Sequence, residues 1–334
     1  MRRALTRYGE LSGGPMIPGF TKYARTLYYV SRNVLRGSGI YPFYASFKIT
    51  SRCGSSCSHC YVPREEPVSD LDTEAAKTVI RNLASSSTFV LTLEGGEPFL
   101  RDDVGELLAF AYSFPVFVSV VTSYPDISME RHFRLSRYID FLQISIDEYH
   151  GNMHLLDRLG GIAGAWRTRV CVQTVVSAKT VHAMEAKARA AYTQGCKILF
   201  IPLSPLYPDM AELRPERGAF VQAVRMLKKK YPKTVMSSSR FLDSFDKRGG
   251  CSSSTIIIDS DGGLFYPCHI LKTKPFSLLD GRLHDFVLSE EALRLRARMR
   301  GCSKTCGWYQ YCAVSFASAR HVPGDICSSL ERIR

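Results

Sequence analysis

Cys53, Cys57 and Cys60 stand in the run Cys53-Gly-Ser-Ser-Cys57-Ser-His-Cys60. Thiolates at this CxxxCxxC spacing can hold three irons of a [4Fe–4S] cluster and leave the fourth iron without a protein ligand. An iron with an open position can bind a substrate or cofactor, whereas a fully ligated cluster passes electrons. The competing reading is a zinc knuckle with His59 as its fourth ligand. His59 directly precedes Cys60, a poor geometry for two ligands on one tetrahedral ion.

A second constellation follows at Gly95-Gly96-Glu97-Pro98. Glycines let a backbone approach a ligand closely, and a carboxylate at a strand end can accept hydrogen bonds from an ammonium group. Thr122 and Ser145 add polar side chains at later strand ends. A third constellation is C-terminal. Cys251 and Cys268 flank the hairpin signal Ser-Asp-Gly-Gly, and Cys302, Cys306, Cys312 and Cys327 follow. Thiols gathered in this way read as ligands of an auxiliary iron–sulfur cluster, with structural zinc as the competitor. Cys171 and Cys196 read as small buried core residues. His150 falls at the rim of the expected site as a substrate contact. Tyr266 and His269, beside Cys268, read as structural residues.

The elements that must position these groups alternate. Strands are expected at Tyr41–Thr50, Phe89–Leu93, Pro115–Val121, Phe141–Ile146, Arg169–Val176 and Lys197–Pro202. Helices are expected at Asp72–Ala84, Asp102–Tyr112, Ser128–Tyr138, Met153–Leu159, a long one ending at Gln194, and Pro215–Lys230. Six such units in a row predict an α/β fold with a parallel sheet, doubly wound or curled into a partial barrel. Ligands of either form gather at the carboxyl ends of the strands, where the cysteine loop lies. A hairpin is expected from Thr255–Asp259 to Leu264–Tyr266. Residues 20–36 predict an amphipathic helix. Phe20, Tyr23, Ala24, Leu27, Val34 and Leu35 form one face, and Lys22, Arg25, Arg32 and Arg36 another. Such a helix can lie on an anionic membrane or pack its apolar stripe on the domain, and packing is favoured. The divisions are an N-terminal extension (1–40), a core (41–235) and a cysteine-rich C-terminal α+β domain (240–334).

The chain has 334 residues, 45% of them hydrophobic and 22% charged, which is ordinary globular composition. No run approaches the roughly 18 apolar residues that suggest a membrane span. The N-terminus has arginines without an apolar run behind them, against a secretory signal. Eleven cysteines in such a chain argue for metal ligation in a reducing cytoplasm rather than for disulfides. The net charge of +13 favours anionic partners. No basic–aromatic interleaving points to nucleic acid.

CxxxCxxC followed by Gly95-Gly96-Glu97-Pro98 one β/α unit later resembles the radical S-adenosylmethionine (radical SAM) enzymes. The resemblance covers about residues 41–230. It implies a partial (β/α)6 barrel and a [4Fe–4S] cluster on Cys53, Cys57 and Cys60. The amino and carboxylate groups of SAM would chelate the open iron. Electron transfer into the sulfonium would then give a 5′-deoxyadenosyl radical that abstracts hydrogen from a substrate. Gly95, Gly96, Glu97 and Pro98 would place SAM, with Ser145 and Thr122 as polar contacts. His59 occupies the position of an aromatic ring near the adenine. The C-terminal cysteines resemble SPASM and twitch extensions. Cys251, Cys268, Cys302 and Cys306 would make one quartet, and Cys302, Cys306, Cys312 and Cys327 another. Two fully ligated clusters need eight cysteines, so one auxiliary cluster, or two with other ligands, is implied.

Peptide or protein modification is the favoured activity, by oxidative cross-linking or epimerisation. The alternatives are a carbohydrate or aminocyclitol dehydrogenase or epimerase, a membrane-associated lipid-modifying enzyme, and a non-catalytic iron–sulfur or zinc interaction protein. Flavodoxin or ferredoxin is the expected electron donor, and peripheral membrane contact is the expected exception to a cytoplasmic location. The residue that handles the substrate radical is unassigned.

Overall fold

Strand β1 (Tyr44–Thr50) shows how the sheet is built. Its side chains alternate, so Ala45, Phe47 and Ile49 face one way and Ser46 and Lys48 the other. β2 (Val90–Gly95), β3 (Phe117–Thr122), β4 (Phe141–Ser145), β5 (Arg169–Val176) and β6 (Lys197–Pro202) repeat the pattern. The computed structural model describes residues 19–35, 40–60, 62–64, 68–123, 130–166, 168–203, 207–237, 241–243 and 253–301. Among them the strands form one sheet in the order β6-β5-β4-β3-β2-β1-β7-β8-β9. Pairing from β6 through β1 to β7 is parallel. This is the expected mixed α/β fold with a large parallel sheet.

The apolar sheet face is covered by helices. These are α2 (Thr73–Ala84), α3 (Val104–Tyr112), a short α4 (Glu130–Phe133), α5 (Leu159–Trp166), α6 (Met184–Thr193) and α7 (Arg217–Lys230). In α2, Ala76, Val79, Ile80, Leu83 and Ala84 recur at helical spacing and are buried, and the Asp72 carboxylate caps the first turn by accepting from Ala75 N. In α7, Glu216 caps the start, and Lys228, Lys229 and Lys230 complement the dipole at the end.

Two element expectations need correction. Within the helix expected at Ser128–Tyr138, the described residues are α-helical at Glu130–Phe133 and continue as a 3-10 turn, Arg134–Tyr138. The short helix expected near Met153 is a 3-10 turn, Met153–Arg158, that runs into α5. Gly160, Gly161 and Gly164 lower the helix propensity of α5 and hid it from the sequence. Burial of Leu159, Ile162 and Trp166 outweighs that penalty.

The hairpin forms between β7 (Thr255–Ile258) and β8 (Gly263–Phe265), and β9 (Phe276–Ser277) adds to it. These strands do not build a sheet of their own. β7 pairs in parallel with β1, Tyr44 opposite Thr255 through Phe47 opposite Ile258. Helices α8 (Leu283–Leu288) and α9 (Glu290–Ala297) follow.

Helix α1 (Gly19–Leu35) forms as expected but is turned over. Of its apolar face only Tyr23 is seen to pack inward, edge-on against Phe117 at 5.4 Å, while Phe20 is 81% exposed and Leu35 85%, with Leu27 and Tyr28 also exposed. Its basic face packs inward. Lys22 is 2% exposed and pairs with Asp140 at 2.7 Å, its ammonium 3.8 Å from the centre of the Tyr112 ring. Arg25 donates to the carbonyls of Ala84, Ser86 and Thr88 at the end of α2. Arg32 donates to the Tyr41 hydroxyl. The expected packing of the apolar stripe on the domain therefore holds for Tyr23 and not for Phe20, Leu27 and Leu35. Carbonyls at and beyond the end of α2 and the Asp140 carboxylate are acceptors, which the cationic donors of α1 reach and its apolar side chains could not satisfy. Replacing Lys22 by Ala leaves the half-buried Asp140 carboxylate with the Val118 N–H but without its cation, and should cost about 1–2 kcal/mol in urea unfolding. An unchanged midpoint would show that α1 contributes nothing through this face.

Candidate active site

The cysteine loop leaves β1 at a point that is heavily tied down. The Asp70 carboxylate accepts from Thr50 Oγ1 at 2.5 Å and Ser51 N at 2.7 Å, and sits 3.4 Å from Arg52. The Arg101 guanidinium donates to Ile49 O at 2.6 Å and Leu71 O at 3.0 Å while forking onto Asp103. Beyond the loop, Arg64 donates to Ser58 O and pairs with Asp209 at 2.8 Å, joining the segment after Cys60 to the connection after β6.

The Gly95–Gly96 turn packs onto this root. A Cβ on Gly95 would lie 2.2 Å from Thr50 O, and one on Gly96 2.1 Å from Arg52 O. Gly95 also has φ +148°. Gly96 N donates to Thr50 O and Glu97 N to Arg52 O, both at 2.8 Å. The close approach that these glycines permit is thus to the backbone of the cysteine loop.

At the carboxyl ends of the strands a cavity of about 200 Å³ brings together Cys53, Cys57, Cys60, Gly95, Gly96, Thr122 and Ser145. Lys48, Glu94, Ser123 and His150 share its lining. Cys53 is exposed, Cys60 half-buried and Cys57 buried, and none is in a disulfide. Glu97 and Pro98 lie outside the lining. The Glu97 carboxylate, 3% exposed, accepts from Thr122 Oγ1 at 2.8 Å, Phe99 N at 3.2 Å and Ser123 N at 3.1 Å. A carboxylate has about four acceptor positions, so one remains. Burial pushes Glu97 above the usual carboxylate range despite these bonds. Cys268 does not line the cavity. It caps a 3-10 turn, its sulfur accepting from Ile270 N. Cys251, Cys302, Cys306, Cys312 and Cys327 lie outside the described residues. A larger cavity of about 410 Å³, between the Met153–Arg158 turn and α6, holds none of the motif residues.

His59 is also absent from the lining. Its ring packs against Tyr149 and His150, with centroids 4.9 and 5.2 Å apart, and burial lowers its pKa. A zinc ion among the three thiols would therefore lack its fourth ligand in the loop.

Lys48 and Glu94 were missed by sequence reasoning. They are register partners on β1 and β2. Burial pushes the Glu94 carboxyl up, against the pull of Lys48, and Lys48 lies 3.6 Å from Asp259 at the end of β7. The available signal was a charged residue at an inward position of an otherwise apolar strand. The same sheet face continues polar: Gln143 donates to Ser119, and Gln173 donates to Gln143.

Residues 47–172 match the radical SAM superfamily. The chain carries a radical SAM domain. It is 25% identical to the PqqA peptide cyclase of Methylocella silvestris over 68% of either chain. It is 25% identical to the mycofactocin maturase MftC of Mycobacterium tuberculosis over 85% of this chain and 80% of MftC. Among solved structures, anSMEcpe with bound AdoMet shares the fold at a TM-score of 0.62 and 14% identity, covering 87% of this chain and 94% of that one. Streptococcus suis SuiB bound to the precursor peptide SuiA does so at 0.59 and 12%, covering 86% and 74%.

Radical SAM domains work with a [4Fe–4S] cluster and S-adenosylmethionine, and the residues here fit both. Three thiols free of disulfides share one cavity. Burial pushes the half-buried Cys60 thiol up, and a cation beside it would favour its thiolate. Glu97 keeps an acceptor position for an ammonium group. Among the described residues no helix is long and apolar enough to cross a membrane.

Proposed function

We propose that the protein modifies a peptide or protein by radical SAM chemistry, through an oxidative cross-link or an epimerisation. The carrying observation is the convergence of Cys53, Cys57 and Cys60 with the Gly95–Gly96 turn on one cavity at the strand ends. When bound, the cluster supplies the electron that cleaves the C–S bond of SAM and yields a 5′-deoxyadenosyl radical for hydrogen abstraction. Cys53, Cys57 and Cys60 hold it. Glu97, fixed by Thr122 and Ser123, takes the amino group, and Ser145 contributes a polar contact from β4. Gly95 and Gly96 act indirectly, by seating the cysteine loop. Cys268 belongs to an auxiliary cluster with the C-terminal cysteines, and a flavodoxin or ferredoxin delivers electrons.

The peptide class rests on the two relatives that match over most of this chain, one named a peptide cyclase and the other a maturase. The test is anaerobic incubation with SAM, dithionite and a short peptide encoded beside the gene. We expect 5′-deoxyadenosine together with a peptide that has lost hydrogen or, in heavy water, gained deuterium. Cleavage of SAM with every such peptide unaltered would overturn the substrate class and leave the chemistry standing.

A polyol such as a carbohydrate or aminocyclitol is the second reading, favoured by the polar row Ser119, Gln143 and Gln173 on the inner sheet face. A membrane surface held by the exposed apolar residues of α1 would lie on the side of the sheet away from the cavity. α1 packs on Thr88, Asp140 and Tyr41, which precede β2, β4 and β1 at their amino ends, opposite the cavity.

A further inference from the structure

The cavity wall at the end of β1 carries a row of charges that does not balance. Lys48, 7% exposed at its side chain, lies 3.6 Å from Asp259. Lys274 reaches the same carboxylate at 3.0 Å and Asp261 at 2.7 Å. Both ammonium groups also stand over the Phe265 ring, 5.0 and 5.5 Å from its centre. These two cations and two carboxylates neutralise one another. Glu94, the register partner of Lys48 on β2, is left over. It forms no ion pair among the described residues. The donor that faces it is the Ser46 hydroxyl one pleat deeper, and a hydroxyl does not neutralise a charge. His150, the other ionisable group of the lining besides the cysteines, is taken by Asp147 at 2.8 Å.

The backbone aims this pair. Pairing of β1 with β2 runs from Lys48 opposite Glu94 to Thr50 opposite Gly95, so Ile49 is an extra residue on β1. A bulge of this kind redirects the side chains beside it. Lys48 and Glu94 both line the cavity, and Glu94 is half-buried there.

We infer that the Glu94 carboxylate receives a cationic group of the substrate, an ammonium or a guanidinium. The inference rests on the proposed peptide reading, in which a lysine or arginine side chain near the modified position supplies that group. A carboxylate withdrawn from bulk water without a cation is costly, and the fold bears that cost before the substrate arrives. An incoming cation then meets a fixed partner at low local dielectric, and the wall need not reorganise. The local sign opposes the net charge of +13, so it does not follow from composition. Glu97 lies outside the lining and serves the amino group of SAM in the proposed reading, so each carboxylate has its own cation.

The test is calorimetric binding to the holoenzyme loaded with cluster and SAM. The probes are capped tripeptides with lysine, arginine or the uncharged norleucine between two alanines, and the aminocyclitol streptamine. The wild type should bind the lysine or arginine peptide at least about tenfold more tightly than the norleucine peptide, the margin of a hydrogen bond to a charged group. This comparison does not depend on any variant folding. Glu94→Gln, which keeps the shape and removes the charge, should erase the preference and leave SAM affinity as it was. Equal binding of the tripeptides by the wild type, or no binding of any cationic probe, overturns the inference. So does a preference that survives in Glu94→Gln, or a loss of SAM affinity there, which would assign the carboxylate to the cofactor. Selective binding of streptamine that Glu94→Gln abolishes would support the cation site and overturn the peptide reading instead.

Discussion

Cys57→Ala forms no 5′-deoxyadenosine when incubated with SAM and dithionite. The fall should exceed about a hundredfold, because loss of a ligand must cost more than the 10–100-fold typical of losing a group that merely supports one. Cys57 is the decisive choice among the three thiols. It is 6% exposed, whereas Cys53 is exposed and Cys60 half-buried. A buried position gives water or an exogenous thiol little access to the vacated iron. The protein should keep its fold, since exchanging the sulfhydryl for a hydrogen removes a single heavy atom. Unchanged circular dichroism with the loss of 5′-deoxyadenosine is the expected pair of results. Iron and sulfide that remain in this variant report on auxiliary sites, which include Cys268 in the proposed reading. Wild-type rates in Cys57→Ala would refute the ligand assignment.

Gly96→Ala should damage the site without touching a ligand. Its new methyl group would stand 2.1 Å from Arg52 O, 2.6 Å from Arg52 C and 2.9 Å from Ser51 O, all of them backbone atoms. No side chain can swing aside to relieve the overlap. The Glu97 turn and the start of the cysteine loop must separate, stretching the bonds Gly96 N to Thr50 O and Glu97 N to Arg52 O. Overpacking of this kind together with two weakened hydrogen bonds should cost about 3 kcal/mol. The readouts are a lowered unfolding midpoint and reduced iron uptake. A variant as stable and as iron-loaded as the wild type would mean that the turn is not seated on the loop.

These glycines show where sequence reasoning reached the right residues for an incomplete reason. The Gly-Gly-Glu-Pro run reads as a place where backbone must come close to something. The sequence cannot say to what. The partner, Thr50 to Arg52, lies more than forty residues earlier and arrives only through parallel pairing of β1 with β2. Glu97 is similar. A carboxylate at a strand end was legible as a hydrogen-bond acceptor. That Thr122 and Ser123 occupy half of its acceptor capacity and fix its direction required β3 to be in place.

The alternation of β and α segments was legible because each has its own period, and burial of one face repeats that period in the sequence. Lys48 and Glu94 escaped notice because an isolated charge in a short apolar strand does not declare which face it occupies. Register places them side by side in the cavity wall. The β7–β8 hairpin was announced by Ser-Asp-Gly-Gly, a local turn preference, but its docking on β1 is a long-range contact with no local signature.

The sequence alone determined the chemistry-bearing loop, the Gly95–Glu97 turn and the α/β architecture, because spacing, turn preference and side-chain period are local properties. Only the tertiary structure decided orientation and company. It turned α1 so that Lys22 and Arg25 face inward and Phe20 and Leu35 face out, since periodicity defines two faces but not which one finds partners. It also brought His150, held by Asp147, to the cavity that Cys57 lines, because residues about ninety positions apart meet only when the strands that carry them share one end of one sheet.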